Sequence, residues 1–199
     1  MREIGRLIVA LTLIAVISGL ILAVVEGMTR EPIAAQRRLE MLKALRAVLP
    51  PMDNEPDTDA VTLPVGKDAK GQEVRRTFYR GRQQGALSGV AFKVVSPEGY
   101  AGNIEIMVGV DPAGSVTGIE ILTQAETPGL GNKISEDWFK AQFRGRSLDN
   151  ADWRVKKDGG QFDQITGATI SPRAVVKAVR GGLEYFRDHR AEIIAPKGT

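Results

Sequence analysis

The sequence predicts an α+β protein: an N-terminal transmembrane helix followed by one domain with a mainly antiparallel sheet flanked by helices. Three observations predict it. Leu7 to Val25 is a run of nineteen residues without a charge. From about residue 61 to Leu122 the apolar residues settle into a period of two, as in half-buried strands. Helical spacing brackets that region, in Leu42, Leu45 and Leu49 and again in Val175, Val176, Val179, Leu183 and Phe186. Strands grouped together between helices argue for α+β rather than a doubly wound parallel sheet. With 199 residues, 43% hydrophobic and 26% charged, the chain has room for one ordinary domain beyond a short anchor.

The uncharged run, as a helix, extends roughly 28 Å at about 1.5 Å per residue, close to the thickness of a bilayer core. A cleaved signal peptide has a shorter apolar part and a small-x-small site at its end. Here Ala23-Val24-Val25-Glu26-Gly27 makes a poor site, so a retained anchor is expected. The expected organisation is residues 1–6 before the membrane, 7–25 across it, 26–60 an amphipathic helix and linker, and 61–199 the domain. Arg2 and Arg6 precede the span while Arg30, Arg37, Arg38 and Lys43 follow it, so the positive-inside rule does not fix the orientation.

Thr29-Arg30-Glu31-Pro32 reads as the start of a second helix, with the cap at Thr29 or Arg30 and Pro in the first turn. Pro50-Pro51 ends it. Met52 to Ala60, with Asp53, Glu55, Asp57 and Asp59, reads as an acidic surface loop. Val74 to Tyr79, Val90 to Val94 and Ile104 to Val110 follow as strands. Asp111-Pro112-Ala113-Gly114 supplies a turn, and Val116 to Leu122 returns antiparallel. Ser135-Glu136-Asp137 before Trp138 predicts a short capped helix. The last helix is expected to begin at Ser171-Pro172, with Ser171 as its cap.

Composition excludes several chemistries. There is no cysteine, which removes disulfides, thiolate catalysis and cysteine-ligated clusters. Redox chemistry would then need an organic cofactor. The single His189 stands in a polar stretch without a partner histidine. A net charge of +3, with no basic run interleaved with aromatics, gives no reason to expect nucleic acid.

The segment Asp163-Gln164-Ile165-Thr166-Gly167-Ala168-Thr169 lies just before the last helix. Unpaired N–H groups and the positive end of the helix dipole point back toward Thr169, which suits a phosphate. Gly167 and Ala168 leave room at the backbone, and Lys156 and Lys157 can bring positive charge. The same residues also make an ordinary loop whose hydroxyls bond to local backbone. Spacing alone does not choose between the two.

The segment resembles the flavinylation motif of the FMN-binding domain family. There, Asp, Ser or Thr, Gly, Ala and a final Thr precede a helix, and a separate flavin transferase using FAD and magnesium esterifies that last Thr to the FMN phosphate. The resemblance implies that Thr169, and not Thr166, carries FMN covalently. It also implies that Asp163 is read by the transferase, and that 61–199 is an FMN-binding domain. Glu126-Thr127-Pro128-Gly129-Leu130-Gly131 resembles the family's ETPGLG loop beside the flavin. That likeness puts Glu126, Thr127, Gly129 and Leu130 with Thr166, Gly167, Ala168 and Lys156 among the cofactor-binding residues. A His commonly precedes that loop in the family, whereas Gln124-Ala125 stand here, so no proton-handling histidine is expected. WRVKKDGGQF (Trp153 to Phe162), the Pro97 to Tyr100 turn and the anchor also fit. The chain is most similar to the G subunits of Rnf-type ion-translocating electron transport complexes, and next to the C subunits of sodium-pumping NADH:quinone reductases. The resemblance implies an electron carrier among other subunits of a membrane redox complex, held in membrane lipid. It further implies a single pass through the bacterial inner membrane, with the N-terminus cytoplasmic and the domain in the periplasm. No substrate-converting site is expected.

Overall fold

The computed structural model describes residues 2–67 and 71–195, which fall into two compact units, residues 1–42 and 43–199. Helix α1 runs without interruption over Arg2–Val48. Its apolar segment is long and apolar enough to cross a membrane, and its side chains are exposed (Leu7 63%, Leu22 68%). The helix start expected at Thr29 does not occur. The Thr29 hydroxyl instead bonds back to the carbonyl of Val25 at 2.8 Å, within its own helix. Pro32 sits inside the helix, where it removes one backbone donor without ending the element.

In the second unit, β1 (Ala60–Lys67), β2 (Glu73–Gln83), β3 (Ala86–Ser96), β4 (Ile104–Val110) and β5 (Val116–Thr123) form an antiparallel meander in chain order. The strands named from period two are thus found, β4 with the bounds expected and the other three longer than their apolar cores. β1 is an additional edge strand. It carries Pro64, tolerated at an edge where no ladder donor is required, with a bulge between Pro64 and Gly66. Helices α2 (Asp137–Ala141), α3 (Ile170–Asp188) and α4 (Arg190–Ile194) follow, with short 3-10 turns at Gly131–Ser135 and Lys156–Asp158.

One sheet face packs on α3. Phe92 stacks on Phe186 with ring centroids 6.3 Å apart, and Val175, Val176, Val179, Leu183 and Phe186 are buried as expected. The opposite face holds the last turn of α1. Gly81, Gly89, Gly109 and Gly118 line that face, and a Cβ at Gly109 would lie 2.2 Å from the Val48 carbonyl oxygen. The Thr117 hydroxyl donates to that same oxygen, satisfying a carbonyl left open at the helix end.

The acidic loop is not purely a surface feature. Asp59 pairs with Arg80 at 2.6 Å and with Arg82 at 2.6 Å, and Arg80 is only 2% exposed. Arg80 also donates to the Ala195 carbonyl, so one buried guanidinium joins the loop, β2 and the end of α4. Burial pushes the Asp59 carboxyl up. The Arg82 hydrogen bond and the two guanidinium charges outweigh it and hold the group below its ordinary value.

Candidate functional site

Two turns and a helix start build a cleft of about 320 Å³ lined by Tyr100, Glu126, Thr127, Leu130, Gly131 and residues 167–171. The first turn is Thr127 to Leu130, closed by the Leu130 amide donating to the Thr127 carbonyl at 3.1 Å. Pro128 and Gly129 occupy its centre, and Gly129 has φ +75°, the left-handed value a type II turn needs at that position. The second turn is Ile165 to Ala168, closed at 3.0 Å, with Gly167 at φ +78° in the same role. The stretch that leads into it is fixed by an aromatic cluster. Phe162 packs 4.8 Å from Phe143 and 5.0 Å from Trp153, and the Trp153 indole donates to the Ser147 carbonyl at 2.9 Å.

Thr169 is the N-cap residue of α3, and its carbonyl accepts from the Arg173 amide at 3.2 Å. Its side chain makes no capping hydrogen bond, and the residue is half-buried in the cleft wall. Ser171, expected as the cap, lies inside the first turn. Its hydroxyl donates to Glu126 Oε2 instead. The reason is distant in sequence: a buried carboxyl needs donors, and the Ser171 hydroxyl lies within reach of Oε2. The short helix α2 likewise has Glu136 at its cap and no side-chain capping bond.

Six of the nine residues expected at the site come together here: Glu126, Thr127, Leu130, Gly167, Ala168 and Thr169. Gly129 and Thr166 sit in the two turns but outside the lining. Lys156 is outside it as well, and its ammonium pairs with Asp163 at 2.5 Å. Arg173 is bound to Asp158 by two hydrogen bonds of 2.7 and 2.8 Å, which hold that carboxyl below its ordinary range. The cleft also includes Gly131, from the loop expected beside the flavin, and Tyr100, Ile170 and Ser171, which the sequence pattern did not single out as site residues. Tyr100 is 69% exposed, Leu130 42% and Ile170 45%, an apolar rim. A tyrosine in a Gly-Tyr turn gave no sign of this beyond the turn itself.

Comparison with known proteins gives the context. The model of the FMN-binding domain matches residues 99–184, which contain every residue lining the cleft. The G subunit of the ion-translocating oxidoreductase complex of Aliivibrio fischeri is 40% identical over 190 residues, covering 92% of this chain and 90% of that one. The G subunit of the same complex from Cereibacter sphaeroides is 42% identical over 194 residues, covering 94% and 85%. The chain belongs to the family of G subunits of ion-translocating oxidoreductase complexes. Solved structures extend the likeness in fold beyond that family. NqrC of Shewanella oneidensis superimposes with a TM-score of 0.59 at 18% identity, covering 79% of this chain and 98% of that one. The C subunit of the Na⁺-translocating NADH-quinone reductase from Parabacteroides distasonis gives 0.55 at 20% identity, covering 75% and 89%.

Proposed function

We propose that this G-subunit family member is a membrane-anchored electron-transfer component of an Rnf-type ion-translocating ferredoxin/NAD oxidoreductase complex, carrying FMN as a phosphoester on Thr169. One observation carries the attachment. Thr169 lines the cleft at the N-terminus of a 19-residue helix, and its side chain makes no capping bond. First-turn amides and the helix dipole favour a phosphate at that point, and Pro172 has no N–H to leave unsatisfied. Gly167 and Ala168 leave the backbone open, while Tyr100, Leu130 and Ile170 offer apolar surface. A cleft of about 320 Å³ lies at the small end of the range for ligand sites, which suits a cofactor left in reach of neighbouring carriers.

When bound, FMN supplies the redox chemistry that the side chains of a cysteine-free chain do not. In attachment, the Thr169 oxygen bonds to the FMN-side phosphorus of FAD. The pyrophosphate bond breaks, AMP leaves and the hydroxyl proton passes to solvent, on the flavin transferase with magnesium. We place Glu126, Thr127, Leu130, Gly167 and Ala168 in the wall around the group. Gly129 and Thr166 shape the two turns, and Lys156 reaches a phosphate only by leaving Asp163. The apolar segment of α1 is the single membrane anchor. The domain lies in the periplasm of a bacterial inner membrane, where a covalent link prevents loss of the cofactor. Organisation as residues 1–6, 7–25, 26–60 and 61–199 completes this reading. Likeness to the C subunit of the Na⁺-translocating NADH-quinone reductase is one of fold and does not place the chain there.

The test is denaturing electrophoresis under ultraviolet light after co-expression with the transferase. Wild type is expected to fluoresce and to gain the mass of FMN less one water. Thr169→Val is expected to be dark and Thr166→Val bright. The reverse pattern would move the attachment to Thr166, and a wild type without added mass would leave only non-covalent binding of a phosphorylated ligand.

A further inference from the structure

Glu126 is 4% exposed, yet no basic side chain pairs with it among the described residues. Both of its oxygens are taken by neutral donors from separate parts of the chain. Oε1 accepts from the Ala101 amide at 3.1 Å, and Oε2 accepts from the Ser171 hydroxyl. Its own amide donates to the Gln124 side chain at 2.6 Å. The carboxylate therefore spans the turn that carries Tyr100, the Thr127 to Gly131 loop and the first turn of α3. Two glycines make room for it. A Cβ at Gly99 would lie 2.9 Å from Glu126 Oε1. A Cβ at Gly131 would lie 2.6 Å from Ser171 Oγ and 2.8 Å from Glu126 Oε2.

We propose that Glu126 is a positioning residue: a buried crossbar whose bonds to Ala101 and Ser171 hold the cleft walls in register and set the first turn of α3, two residues from the Thr169 acceptor. It acts on the protein, through the partner that each oxygen already holds. Two hydrogen bonds to one buried carboxyl, each costly to leave unmade, are strong enough to tie the loops together. The proposal rests on the reading of Thr169 as the flavin acceptor, but its geometric part can be tested without any flavin.

Two measurements on the full chain in detergent test it. Amide hydrogen exchange is followed on the unflavinylated protein, and FMN incorporation is timed with the transferase, FAD and magnesium. Glu126→Ala is expected to raise exchange at Ala101 at least tenfold and to slow incorporation by a similar factor. Gly131→Ala, which crowds the crossbar while leaving all of its bonding groups in the chain, is expected to behave the same way. Ser171→Ala removes one bond and should fall between. Glu126→Gln retains an acceptor for Ala101 and turns a donor toward Ser171 Oγ, so both readings should return to within about threefold of wild type.

Unchanged exchange at Ala101 in Glu126→Ala overturns the proposal. So does native exchange with slow incorporation in Glu126→Gln, because charge rather than position would then be what Glu126 supplies. Should Glu126→Ala fail to fold, the Gln and Ser171 variants decide. Absence of FMN on the wild type would refute the acceptor reading alone and leave the exchange result standing.

Discussion

Adjacent glycines in α3 make a controlled experiment on how tightly this helix lies on the sheet. A Cβ at Gly182 would fall 2.7 Å from Val94 Cγ1 and 2.8 Å from Phe92 Cε2, whereas one at Gly181 would meet nothing within 4 Å. Each replacement by Ala gains about 0.5–1 kcal/mol of helix propensity. Only Gly182→Ala adds a methyl to a filled core, at a cost of about 1–3 kcal/mol. The propensity gain is common to both variants and cancels in their difference, which isolates the steric cost. At roughly 2–4 °C per kcal/mol for a domain of this size, Gly181→Ala should melt about 1–4 °C above wild type. The gap between the two variants should be about 2–12 °C. The assay is thermal unfolding of the full chain in detergent, followed by the fluorescence of Trp138 and Trp153. A gap below about 1 °C, or Gly182→Ala the more stable, would refute close packing of α3 on β3.

Two further outcomes follow from the buried guanidinium. Asp59→Asn leaves Arg80 without its carboxylate and should cost about 2–4 kcal/mol, read as a lowered midpoint in the same melt; a loss under about 0.5 kcal/mol would show that the Ala195 carbonyl is partner enough. The folded-state value of Asp59 is depressed, so its contribution is complete above the unfolded carboxyl value near ~3.9 and is lost as pH falls through the lower folded value. An acid titration of wild type should show this loss, and Asp59→Asn should lack that component.

What the sequence made legible were the features encoded locally. Alternation over Val74 to Leu122 located four strands, and the apolar stripe of α3 located its buried face. The two Gly-containing turns and Thr169 were found because turn chemistry and a helix start are written within a few residues. What stayed hidden depends on contacts across the chain. β1 holds Pro64, which demotes any strand pattern, and it is a strand because β2 pairs with it. Ser171 looked like a cap because the hydroxyl's true partner, Glu126, is 45 residues away. Asp59 looked like one more surface acid until Arg80 was seen buried against it. The Thr29 start was misread because a Thr-x-x-Pro pattern fits a first turn as well as it fits a hydroxyl folded back on its own helix.

The order of the meander has a consequence for how the protein is made. Every strand pairs with its sequence neighbour, so the sheet can close as soon as residues 60–123 leave the ribosome. The wall that presents Thr169 does not exist at that stage, because α3 comes later and takes its position by packing on β3, β4 and the Gly131–Ser135 turn. An enzyme that reads the acceptor in its folded setting would therefore pass over nascent and misassembled chains. Modification would then mark the copies whose cores are complete.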